Sequence, residues 1–84
     1  MIMYYANGIK TSEIQERLTI EQFNDVYEFY GNFHKNEKLA IKDAEKFTKD
    51  FNKRWGTNYL ADELVGIDHD FFEWDYYQKD WVRI

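Results

Sequence analysis

The sequence predicts a small α+β domain, mainly helical, closed by a carboxy-terminal β-hairpin. Three observations carry this. Residues 37–55 hold an apolar stripe between a capping asparagine and a glycine stop. Capping-box signatures at Ser12 and Thr19 precede helical spacing of apolar residues. The last 17 residues, "DHDFFEWDYYQKDWVRI", change to a period of two. Helices are expected near 11–18, 19–30, 37–55 and 57–65, in a single domain spanning 1–84. An all-α chain, with the last segment a helix buried on several sides, is the alternative.

Taken in order, "MIMYY" is short, apolar and aromatic, and reads as a strand or a packed terminal arm. "ANGIK" turns, because Asn-Gly tolerates positive φ. Ser12 with Gln15 forms a capping box for a first helix through Leu18, and Thr19 with Gln22 repeats it for a second. In that second helix Ile20, Phe23, Tyr27 and Tyr30 recur at helical spacing, and Gly31 ends it. "NFHKN" is a loop.

Asn36 caps the longest helix and Gly56 stops it. Ala40, Ala44, Phe47, Phe51 and Trp55 make its apolar face. Lys38, Lys42, Lys46, Lys49 and Lys53 lie opposite, within about 80° on a helical wheel. Thr57 is placed to cap a shorter helix through "NYLADELV". In the final stretch, strand alternation assigns Phe72, Trp74 and Tyr76 to the core face and Glu73, Asp75 and Tyr77 to the outer one. "QKD" turns, and "WVRI" has strong β-propensity.

Composition narrows the function classes. A chain of 84 residues buries only about 60% of its unfolded surface, so aromatics at 20% supply most of the packing. With no cysteine there is neither a disulfide framework nor a thiolate metal site. No apolar run approaches the roughly 20 residues that span a bilayer, and "MIMYYANGIK" lacks the basic start of a signal peptide. A cytoplasmic location is expected.

The net charge of −5 is segregated. Residues 1–30 sum to −3, residues 31–56 to +3 and residues 57–84 to −5. An acidic chain is a poor general ligand for nucleic acid, whose affinity comes largely from phosphate neutralisation. Only the middle third keeps that route open.

The stretch "SEIQERLTIEQFNDV", residues 12–26, resembles the bihelical core of helix-turn-helix DNA-binding domains. Ile14, Leu18, Ile20, Phe23 and Val26 fill the matching apolar positions, and a terminal hairpin suits a winged variant. The resemblance implies that the second helix reads base edges. That helix carries Glu21, Asp25 and Glu28 and no lysine or arginine, so phosphates repel it. The turn position is Thr19, where glycine is common in such cores.

Catalytic and metal signatures are sparse. "DHD" brings His69 beside Asp68 and Asp70, with Glu73 and His34 elsewhere, but no further ligand follows at a recognised spacing. There is no glycine-rich phosphate loop. Neither enzymatic activity, a cofactor nor a bound metal is expected.

What remains is an acidic aromatic tail. Trp and Tyr are favoured anchors in protein interfaces, and Asp68, Asp70, Glu73, Asp75 and Asp80, with Tyr77, are placed to steer and hold a basic partner. The leading reading is a non-catalytic protein-binding module that engages a basic site on a larger protein. In composition, though not by motif, the chain resembles phage or mobile-element inhibitors of nucleic-acid-handling or defence complexes. The alternative is a small helix-turn-helix-like transcription regulator touching DNA phosphates through Lys38, Lys42, Lys46, Lys49 and Lys53. A homodimer that buries the aromatic tail is a third.

Overall fold

The computed structural model describes residues 1–8 and 12–84. The turn through "ANGIK" and the Ser12–Gln15 capping box involve the remaining residues or the Ser12 side chain, and lie outside what is described. Along the chain run β1 (Ile2–Asn7), α1 (Ser12–Arg17), α2 (Ile20–Tyr27), α3 (Glu37–Trp55), α4 (Ala61–Leu64), β2 (Gly66–Asp75) and β3 (Asp80–Arg83).

The expected balance of elements is overturned. Helices occupy 44% of the chain and a three-stranded antiparallel sheet organises the rest, so the domain is α+β but not mainly helical. The all-α alternative fails for the same reason. Sheet order is β1-β2-β3, with Ile2 opposite Phe71 and Asn7 opposite Gly66, then Phe72 opposite Arg83 and Asp75 opposite Asp80. Pairing β1 with β2 joins residues more than 55 positions apart, a contact that local pattern does not encode.

Strand β1 is flanked on its other edge by the segment expected to be a plain loop. Tyr4 and His34 exchange backbone hydrogen bonds of 2.7 and 2.8 Å, and Gly31 N–H donates to the Ala6 carbonyl at 2.8 Å. Gly8, just past β1, sits where a Cβ would overlap the Val26 carbonyl of α2. Only glycine lets the two backbones approach this closely.

Helix α3 forms where sequence signals agree. Asn36 Oδ1 accepts from Lys38 N–H at 2.8 Å, and Gly56 ends the helix in the left-handed region at φ 65°. Its apolar face is as expected: Ala40, Ala44 and Phe51 are buried, Phe47 and Trp55 half-buried. Thr48 joins them, its hydroxyl donating to the Ala44 carbonyl at 2.9 Å, which makes burial of a polar group affordable in the core. The five lysines are all exposed.

The core gathers Ala6, Ile14, Val26, Ala44, Phe51, Leu64 and Val65, with Leu18, Phe29 and Phe47 packed around it. By strand alternation Ala6 and Ile67 share one sheet face, and α3 covers it. On the other face Tyr5 stacks on Tyr30 with centroids 5.0 Å apart, and Phe33 meets both Tyr5 and Phe72 edge-on.

Helix bounds shrink from those expected. The Thr19–Gln22 capping box is formed, with bonds of 3.2 and 3.0 Å, but α2 ends at Tyr27. Tyr30 instead bridges to Asn7. Ile20, expected inside, is 79% exposed, and Tyr27 and Tyr30 are exposed too. The inward face of α2 is set by Val26 and Phe23. Thr57 does not cap a helix; its hydroxyl donates to Asn52 Oδ1 at 2.7 Å, and α4 is only four residues long. There Glu63 Oε1 accepts from Leu60 N–H at 2.9 Å.

Candidate functional site

The long strand β2 is covered unequally. Strand β1 flanks its residues 66–71, while β3 flanks residues 72–75 on the opposite edge. The β2–β3 hairpin therefore extends past β1. The molecule measures 46 × 20 × 18 Å, with a radius of gyration of 14.6 Å against about 12 Å for a compact chain of this length.

The hairpin is built by its own side chains. Asp75 Oδ1 accepts from the backbone N–H of Tyr77 at 2.8 Å and of Gln78 at 3.1 Å, and so folds the turn. Lys79 completes it at φ 53°. Trp74 and Trp81 are cross-strand partners, their rings edge-to-face at 5.5 Å. Lys35 lies 5.7 Å above Trp81.

At the root, Arg83 fastens the hairpin to the body. Its guanidinium donates to the Tyr30 hydroxyl at 3.1 Å, pairs with Asp70 at 2.9 Å and lies over the Phe33 ring. The hydrogen bond to Tyr30 and the charge of Asp70 push the Arg83 pKa further up.

Past the root, aromatic surface is left bare. Tyr76 is 82% exposed and Tyr77 98% exposed at the tip. Trp74 is 39% exposed, and Phe71 and Ile84 also face outward. The sequence assignment of Phe72, Trp74 and Tyr76 to the core thus holds only for Phe72. Alternation puts Trp74 on the same face as Phe72, but the body that covers that face ends near Phe33.

The candidate partner-binding residues are spread along β2, the turn and β3. Asp75, Tyr77 and Asp80 come together at the tip, with Asp75 directly opposite Asp80. Asp68 and Asp70 lie at the root, where Arg83 neutralises Asp70. Asp75 and Asp80 each spend one carboxylate oxygen on backbone N–H groups, the latter on Trp81 at 2.8 Å. Asp68 and Glu73 are exposed and outside any ion pair among the described residues. Trp74, Tyr76 and Phe71 belong to this surface although sequence reading did not place them there. Their signal is an aromatic count larger than one thin core layer can cover.

The other titratable candidates separate. Alternation sends His69 to the sheet face opposite Asp68 and Asp70, beside the rings of Tyr4 and Phe71. His34 Nε2 instead meets Asp43 Oδ2 at 2.8 Å, which ties the segment along β1 to α3. No group of three His, Cys, Asp or Glu able to hold a metal occurs among the described residues. Among the described residues no helix is long and apolar enough to cross a membrane.

Of the apolar positions that carry the helix-turn-helix resemblance, Ile14 of α1 and Val26 of α2 are buried while Ile20 of α2 is exposed. Glu21 and Glu28 face solvent, and Asp25 is half-buried. Compared with protein-family models, curated proteins and solved structures, the chain matches none.

Proposed function

We propose that the protein is a non-catalytic protein-binding module whose contact surface is the projecting β2–β3 hairpin. One observation carries the reading: a hairpin that extends past β1 leaves Trp74, Tyr76 and Tyr77 exposed. Exposed aromatics cost solubility unless a partner covers them, and Trp and Tyr are strong interface anchors. Glu73, Asp75 and Asp80 on the same element favour a partner with a basic surface and speed its approach. A nucleic-acid-handling protein, whose binding site is basic, is the partner class this chemistry fits best, and inhibition by occupying that site is the mode.

The test compares the protein with its Tyr76→Ser/Tyr77→Ser variant as bait, with mass spectrometry of what each retains. A basic protein held by the native chain and lost by the variant supports the reading. Equal retention by both would remove the hairpin from the interface.

A second reading rests on α3, where Lys38, Lys42, Lys46, Lys49 and Lys53 are exposed and outside any ion pair among the described residues. They suit DNA phosphates, in a small regulator. Titration with duplex DNA separates the two: affinity that falls steeply with salt and is lost on Lys42→Glu/Lys46→Glu/Lys49→Glu favours this one.

A further inference from the structure

A different part of β2 has a strand on one edge alone among the described residues. Phe72 exchanges both backbone hydrogen bonds with Met1, at 2.7 and 2.9 Å, so Gly66, Asp68 and Asp70 direct their backbone groups toward β1 as well. Phe71 points the opposite way and accepts from Ile84 N–H at 3.0 Å. Ile67 and His69 follow Phe71 in this alternation. No strand lies beside them among the described residues, so their N–H and C=O groups form an open edge in line with β3.

This edge borders an apolar groove of about 490 Å³. Ile67 belongs to both. The groove runs between α3 and α4, with Ile41, Leu60 and Val65 on its walls and Glu45 and Asp62 among its lining residues. Leu60 is 66% exposed there.

We infer that this edge and groove accept an extended segment of a partner protein by strand addition, and that the segment alternates apolar and basic residues. The alternation follows from the register. Residues set opposite Ile67 and His69 would project on the face that α3 covers, toward the groove. Residues set opposite Asp68 and Asp70 would project on the other face, where Asp68 is an exposed carboxylate outside any ion pair among the described residues. The segment's apolar side chains fill the groove, its basic ones meet Asp68, and its main chain satisfies Ile67 and His69. Glu45 and Asp62 reject acidic residues from the groove side. The inference does not depend on the hairpin tip, because none of these groups is part of it.

The probe is an acetylated and amidated seven-residue peptide alternating lysine and valine, titrated into the isotopically labelled protein. Binding should shift the Ile67 and His69 amide resonances and slow their hydrogen exchange. Leu60→Glu and Ile41→Glu, both at solvent-facing positions, should each weaken it about tenfold, while Tyr76→Ser/Tyr77→Ser should leave it within about twofold. A control peptide alternating lysine and serine should bind at least about tenfold more weakly. The inference is overturned if that control matches the valine peptide, if the Ile67 and His69 amides are unaffected at saturation, or if the tyrosine variant loses binding while the groove variants keep it. That last outcome would assign the peptide to the hairpin.

Discussion

The indole N–H of Trp55 donates to Oδ2 of Asp25 at 2.9 Å. Arg54 pairs with the same oxygen at 3.2 Å, so the last turn of α3 holds α2 by a single carboxylate. An acidic residue that sequence reading counted as a repulsive surface charge is therefore a structural tie between helices. Asp25→Ala should cost about 1–2 kcal/mol, because it leaves a half-buried indole N–H without its charged acceptor. Glu21→Gln and Glu28→Gln should stay within about ±0.5 kcal/mol. Urea denaturation of the three variants checks this, and equal costs would show that the tie contributes nothing.

Helix α3 should be strongly two-faced. Phe51 is buried against Phe47, Trp55 and Tyr59, and Phe51→Ala should cost about 3–5 kcal/mol. Half-buried Phe47 should cost less. Lys42→Ala and Lys49→Ala should lie within about ±0.5 kcal/mol. Lysine variants as costly as Phe51→Ala would mean that the helix is rotated.

Within the hairpin, stability and binding should separate along the strand. Phe72 is buried beneath Phe33, and Phe72→Ala should cost about 3–5 kcal/mol. Trp74 meets Trp81 edge-on and is only partly covered, so Trp74→Ala should cost about 1–2 kcal/mol. Tyr77→Ala should leave the melting temperature nearly unchanged. A Trp74 variant as damaging as the Phe72 one would place that ring in the core after all.

The turn offers a gain. Lys79 holds φ 53°, a left-handed conformation that costs a residue with a Cβ about 1–2 kcal/mol. Lys79→Gly removes that strain and loses part of the gain to unfolded-chain entropy. A net rise of about 0.5–1 kcal/mol is expected by chemical denaturation. A fall would show that the lysine side chain matters more than its backbone.

Alkaline unfolding should report on Tyr5. Burial, reinforced by Tyr30, Asp68 and Asp70, pushes its pKa up to about 12. In the unfolded chain a tyrosine titrates near about 10. Between these values the unfolded chain has released the proton and the folded one has not, so this stabilisation is whole below about pH 10 and is lost as pH rises toward about 12. Melting temperatures across that window should fall less steeply for Tyr5→Phe than for the native chain. Parallel curves would mean that the Tyr5 phenol ionises as freely in the fold as outside it.

Local chemistry wrote some of this molecule directly. Asn36, the stripe through Phe51 and the stop at Gly56 delimit α3 because capping, periodicity and positive φ all act within a few residues. The Thr19–Gln22 box and the hairpin after Asp75 are of the same kind. Tertiary structure decided the rest. Strand β1 chooses β2 across the whole chain, so the domain is organised by a sheet instead of being mainly helical. Tyr30 leaves the expected helix to lie along β1. Alternation sorted the tail's side chains into two faces, but how far the body extends beneath each face decided which of them are buried. Phe72 packs edge-on against Phe33 and is covered; Trp74 and Tyr76, two and four residues on, continue past the body into solvent. The periodicity of a strand is a property of its own backbone, whereas burial belongs to whatever packs against it.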